Sequence, residues 1–276
     1  MIEVGKRQKL TVLRSKEFGI FLGENGEEES VLLPQKQVPE NIKPGDTIDV
    51  FVYRDSQDRK IATVRQPELM AGEIGCLEVV SVSGIGAFMK CGLERDVLLP
   101  FREQTVKVEV GHKYPVYMYV DKSERLCVTM RLYSHLNLNP PYQKNDAFHG
   151  VVYAYKEHMG AFVVVDGQYY GLIPNRELYQ DINVGDTVEG RILNVREDGK
   201  LDLSIRRPAY LQIQVDADKI MKKLELNNGS IPFTDKAAPE VIRQEFGMSK
   251  NEFKRAIGHL LKEEAIEMTA QEIYKK

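Results

Sequence analysis

A chain of 276 residues, 42% hydrophobic and 29% charged, has the make-up of an ordinary globular protein, long enough for two average domains or several small ones. Its net charge of −3 argues against a protein that holds nucleic acid by bulk phosphate neutralisation. No apolar stretch approaches the roughly 20 residues that a membrane-crossing helix needs, so no membrane partner is expected.

Charged residues at Glu3, Lys6, Arg7 and Lys9 interrupt the start of the chain, which speaks against a signal peptide and for the cytoplasm. From there one pattern occurs three times. The first copy runs Phe18-Gly19-Ile20-Phe21, Val31-Leu32-Leu33-Pro34, Gly45-Asp46 and Arg59-Lys60-Ile61. The second runs Ile85-Gly86-Ala87-Phe88, Val97-Leu98-Leu99-Pro100, Gly111-His112 and Arg125-Leu126. The third runs Met159-Gly160-Ala161-Phe162, Gly171-Leu172-Ile173-Pro174, Gly185-Asp186 and Gly199-Lys200-Leu201. From the first Gly to the Pro is 15, 14 and 14 residues, and from the Pro to the next Gly is 11 in each copy. Such spacing marks an internal repeat.

Each copy reads as β structure. Runs such as Thr47-Ile48-Asp49-Val50-Phe51-Val52-Tyr53 and Gly150-Val151-Val152-Tyr153-Ala154-Tyr155 are β-branched and aromatic, and the Gly-Asp pairs set a turn before a strand. Five short strands per copy predict a small closed barrel, because closure removes exposed sheet edges. The expected segments are 1–66, 67–133 and 146–208. Between the second and third lies Leu132 to Asn145, whose Pro140-Pro141 pair predicts an unstructured hinge. Arg206-Arg207-Pro208 predicts a short, stiff passage into the tail.

In the tail, 209–276, the hydrophobic period becomes helical. Asp216 to Leu226 reads as a helix, stopped at Asn227-Asn228-Gly229. Pro239 to Phe246 is a short second helix, closed by Gly247. Ser249 is an N-cap for a third, Lys250 to Glu264, with Phe253, Ile257, Leu260 and Leu261 on one stripe. Ala265 to Thr269 then reads as a strand. This is a helix-turn-helix layout with a wing.

Gly-Ala-Phe-Val, Gly-Leu-Ile-Pro, Val-Gly-Asp-Thr-Val and Leu-Asp-Leu-Ser-Ile-Arg within 160–206 resemble the S-one RNA-binding repeat of the large small-subunit ribosomal protein, an oligonucleotide-binding (OB) fold. Three such repeats followed by a winged helix resemble the conserved virulence factor B family of bacterial RNA-binding regulators. The fold implied is mainly β with an α+β C-terminal domain: three tandem five-stranded OB barrels and a winged helix. The S-one family uses two aromatics flanking the Gly of strand two, a His on strand three, and an acidic and a basic residue near the last hairpin. Phe18 and Phe21 match both aromatics in the first repeat. Phe88 and Phe162 match only the second, with Ile85 and Met159 in place of the first. Pro34, Pro100 and Pro174 replace the His. Asp121 and Arg125 match the charged pair, whereas the third repeat has Arg196 and Lys200 there and loses the acid.

An exposed ring stacks on any base, so it binds single strands with little sequence preference. Each Phe reads equally as barrel core, and the resemblance favours exposure for Phe162 and Phe88. Lys200, Arg125 and Arg196 read as phosphate contacts or as solvated charges, and His158 as a flanking group or an ordinary loop residue. On the third tail helix Lys250, Lys254 and Arg255 read as nucleic-acid contacts, or as a solvated or protein-binding face. No metal-ligand cluster, phosphate loop or nucleophile motif is present, so neither catalysis, a metal nor a cofactor is expected. Cys76, Cys91 and Cys127 lack metal spacing and read as buried thiols. The expected partner is single-stranded RNA, with DNA or protein as candidates for the winged helix. The competing reading is a DNA-binding transcription regulator acting through that domain.

Overall fold

The structure, a computed structural model, describes residues 2–24, 29–55, 57–178, 181–206 and 209–276. Residues 1–205 form one compact unit and 206–276 a second. Arg207 and Pro208, on which the expected stiff passage rests, lie outside the described residues.

The first unit holds three closed five-stranded barrels. The first comprises β1 (Arg7–Lys16), β2 (Gly19–Gly23), β3 (Ser30–Pro34), β4 (Thr47–Arg54) and β5 (Lys60–Thr63). The second comprises β6 (Ile74–Ser83), β7 (Gly86–Lys90), β8 (Val97–Pro100), β9 (Lys113–Val120) and β10 (Leu126–Thr129). The third comprises β11 (Ala147–Lys156), β12 (Gly160–Val165), β13 (Tyr169–Pro174), β14 (Thr187–Val195) and β15 (Leu201–Ser204). In each, the first strand pairs with both the second and fourth, and the third and fifth strands run parallel. The long first strand serves two neighbours because it carries a bulge, at Val12/Arg14, Val79/Ser81 and Val152/Ala154, which bends it around the barrel.

The repeated glycine has a steric cause. Gly19, Gly86 and Gly160 pair with Pro34, Pro100 and Pro174. A Cβ on them would lie 2.2, 2.3 and 2.0 Å from the carbonyl oxygens of Leu33, Leu99 and Ile173. Only glycine lets the two strands approach so closely. After each proline a short 3₁₀ turn (Gln35–Gln37, Phe101–Glu103, Asn175–Glu177) crosses toward the end of the fifth strand. Its last residue accepts from a buried hydroxyl there: Thr63 to Gln37 at 2.5 Å, Thr129 to Glu103 at 2.8 Å, Ser204 to Glu177 at 2.6 Å.

Contacts between the barrels are specific. Arg54 bonds Glu124, and Arg125 bonds Asp58, joining the last hairpins of the first and second barrels. Val184, in the loop before β14, packs on the core of the second barrel. The adjoining Gly185 could carry no side chain, since a Cβ would sit 2.6 Å from the Lys113 carbonyl oxygen.

The expected hinge is not unstructured. Leu132 and Leu136 are buried, with 0% and 8% exposure, against Tyr153, Phe162, Val164, Tyr170 and Leu172 of the third barrel. His135 stacks on Tyr117 of the second barrel at 3.7 Å between ring centres, and this burial lowers its pKa. The Asn137 N–H donates to the Gln168 carbonyl at 2.8 Å. Apolar burial and backbone pairing upstream of Pro140 override the local signal of the two prolines.

The second unit packs α1 (Ala209–Leu226), α2 (Pro239–Phe246) and α3 (Lys250–Lys262) on a small sheet of order β16 (Ser230–Ile231), β18 (Ile273–Lys275), β17 (Ile266–Met268). Ala217, Ile220 and Leu224 form the inner stripe of α1. That helix begins at Ala209, seven residues before the expected Asp216. Gly247 closes α2 in the left-handed conformation at φ 65°. Ser249 and Glu252 form a reciprocal capping box on α3. Among the described residues no helix is long and apolar enough to cross a membrane.

Candidate nucleic-acid interface

The three barrels present the same outward row across strands one, two, three and five. In the first it reads Arg14, Phe21, Leu32, Ile61. In the second it reads Ser81, Phe88, Leu98, Cys127. In the third it reads Ala154, Phe162, Leu172, Asp202. Alternation along each strand sends these side chains out while Ile20, Leu22 and Leu33, for example, fill the barrel.

On the first barrel this row is open. Phe21, Leu32 and Ile61 are half-buried, and Phe18 is 59% exposed at the hairpin tip. Phe18 stands edge-on to Phe21, 6.0 Å between centroids and at 84°, and the Arg14 guanidinium lies 4.4 Å from the Phe21 centroid. The result is an apolar shelf with a free ring and a cation beside it. On the second barrel Phe88 and Leu98 are half-buried, and Ile85 and Phe101 are exposed at the tip. Arg125 does not join that row. Its Nε donates to Asp58 Oδ1 at 2.6 Å, and this pairing holds the Asp58 carboxyl below its usual range. Asp121 accepts instead from the backbone N–H groups of Ser123 and Arg125 within its own turn.

The third barrel corrects the expectation of an exposed Phe162. That ring is 6% exposed, with Leu172 at 5% and Tyr170 at 4%. Leu132 and Leu136 lie over the row, and Lys156 Nζ sits 5.3 Å from the Phe162 centroid. Nor is an acid missing beside Arg196 and Lys200. Arg196 Nε bonds Asp202 at 2.9 Å, which raises its pKa, and Lys200 Nζ bonds Asp198 at 2.8 Å. The Lys200 ammonium is held above its usual value first by Asp198 and then by Tyr133. His158 and Met159 are exposed at the hairpin tip.

On α3, Lys254 and Arg255 are exposed and Lys250 is half-buried. Lys254 Nζ lies 3.8 Å from Asp235, and Arg255 Nε donates to the Asn251 carbonyl at 3.3 Å. Sequence reasoning missed Arg14, Tyr133, Tyr170 and Asp202. The strand register places Arg14 opposite Phe21, after a bulge in the first strand, and Asp202 opposite Leu172 across the parallel third and fifth strands. Tyr133 falls in the segment read as hinge.

Residues 4–65 and 71–131 match the model of the S1 domain, and 136–207 match that of the virulence regulatory factor CvfB second domain. Residues 218–274 match the CvfB-like winged helix domain. The protein YitL of Bacillus subtilis (strain 168) is 31% identical over 270 residues, covering 94% of this chain and 89% of that protein. The chain belongs to the CvfB family. Conserved virulence factor B of Staphylococcus epidermidis is 28% identical to it over 267 residues, covering 92% of this chain and 88% of the relative. A crystal structure of a multidomain protein with nucleic acid binding domains from Streptococcus pneumoniae TIGR4 covers 99% of this CvfB-family chain and 98% of its own. At 22% identity and a TM-score of 0.52 it shows a shared fold. S1 and winged-helix modules are nucleic-acid-binding types, and the relatives named as virulence factor B suggest a regulator.

Proposed function

We propose that this CvfB-family chain is a non-enzymatic, cytoplasmic, single-stranded RNA-binding protein that regulates bacterial gene expression post-transcriptionally, virulence factors included. We also take 1–66, 67–133, 146–208 and 209–276 as its working domains. The observation that carries the reading is the open row of the first barrel: Phe18, 59% exposed, set edge-on to Phe21 beneath Arg14. A duplex keeps its base faces inside the stack, so an exposed ring backed by a second ring suits an unpaired base. Phe88 offers a second, weaker shelf. Lys250, Lys254 and Arg255 serve as phosphate contacts on the winged helix. With a net charge of −3, binding rests on stacking more than on counterion release, so its salt dependence should be shallow.

The test compares matched single-stranded RNA, single-stranded DNA and duplex DNA at one salt concentration. Tightest binding to RNA, weakened by Phe18→Ala, supports the reading. Preference for duplex DNA overturns it in favour of transcriptional control through the winged helix.

A further inference from the structure

The third barrel has lost the exposed ring of its own row, but another ring stands above it. Tyr133 comes from the segment preceding the barrel, in a 3₁₀ turn spanning Tyr133–His135. Its ring is 59% exposed, as Phe18 is on the first barrel. It stands edge-on to the buried Tyr170, 5.7 Å between centroids and at 86°, where Phe18 stands edge-on to Phe21 at 6.0 Å and 84°. A cation attends each inner ring: Arg14 at 4.4 Å from Phe21, and Lys200 at 5.4 Å from Tyr170. Lys200 Nζ is also 5.8 Å from the Tyr133 ring.

The geometry points to Tyr133 as the base-stacking residue of the third barrel, supplied by the connecting segment in place of the buried Phe162, with Lys200 beside it for the adjoining phosphate. This inference rests on the single-strand reading above and adds a residue that lies outside the repeated pattern. The mount is rigid. Leu132 and Leu136, on either side of the turn, are buried to 0% and 8% exposure. His135 stacks on Tyr117 at an interplanar angle of 12°. A ring held this way loses little conformational freedom when a base lands on it. Removing it disturbs little of the core, because most of its surface already faces solvent.

The experiment uses the full chain and a fluorescein-labelled single-stranded RNA rich in uridine, read by anisotropy. Tyr133→Ala is expected to weaken binding by about 5- to 150-fold, the range of one stacked base, and Tyr133→Phe by less than about twofold. A 5-iodouridine version of the same RNA should photo-crosslink to Tyr133. Phe18→Ala runs alongside to separate the two readings. If Phe18→Ala weakens binding while Tyr133→Ala does not and no crosslink maps to Tyr133, the assignment is overturned and the single-strand reading stands. If the unmodified chain fails to bind the RNA, both fall.

Discussion

Thr129 Oγ1 donates to Glu103 Oε2 at 2.8 Å, tying the end of β10 to the short turn that follows β8. The hydroxyl is buried and also accepts from the Arg131 N–H at 3.0 Å, so loss of Glu103 leaves its proton without an acceptor. Glu103→Ala is expected to destabilise the first unit by about 1–3 kcal/mol, and Thr129→Val by about 1 kcal/mol. Urea unfolding with unchanged m-values checks both.

Gly160→Ala places a methyl group 2.0 Å from the Ile173 carbonyl oxygen. The neighbour is backbone and cannot swing aside, so we expect a loss of about 2 kcal/mol or more. Gly84→Ala is the control, since a Cβ there meets nothing within 4 Å. Equal melting temperatures for the two variants would contradict the close-approach account.

Phe162 and Phe18 occupy neighbouring places in the repeat pattern and should behave in opposite ways. Phe162→Ala empties a site that is 6% exposed and should cost about 3–5 kcal/mol. Phe18→Ala, at a 59% exposed position, should leave stability within about 0.5 kcal/mol while reducing RNA affinity. Thermal melts and anisotropy titrations on the same preparations separate the two effects.

The Arg125 side chain lowers the pKa of Asp58 from its ordinary 3.8. A depressed carboxyl contributes stability above its unfolded value and loses it as the pH falls through the folded one. The junction of the first two barrels should therefore weaken below about pH 4. Asp58→Asn, which keeps a residue tolerant of the left-handed backbone at φ 59°, should flatten that dependence. Stability measured from about pH 6 to about pH 3 tests this, and parallel curves for the two proteins would refute it.

The barrels were legible because a steric demand writes itself locally. Gly19 and Pro34 face each other across one hairpin, so their spacing recurs wherever the hairpin does. The α3 helix was legible through its N-cap, Ser249, and the structure adds the reciprocal bond from Glu252. The candidate site was harder to read. Phe21 and Phe162 hold the same place in the same register, yet one is half-open and the other sealed. The difference lies in Leu132 and Leu136, which precede the third barrel and leave no mark on its strands. Arg125 likewise has a partner that local reading does not connect to it, Asp58, 67 residues away.

Val184 has a consequence for the order in which the chain is made. When the ribosome has just added β10, every strand of the second barrel has been made, yet one apolar side chain that packs on its core is still more than 50 residues from synthesis. Until Val184 emerges, the apolar surface it covers is expected to face water. Fragments cut at the connecting segment keep that surface exposed permanently and should be more prone to aggregate than the intact unit.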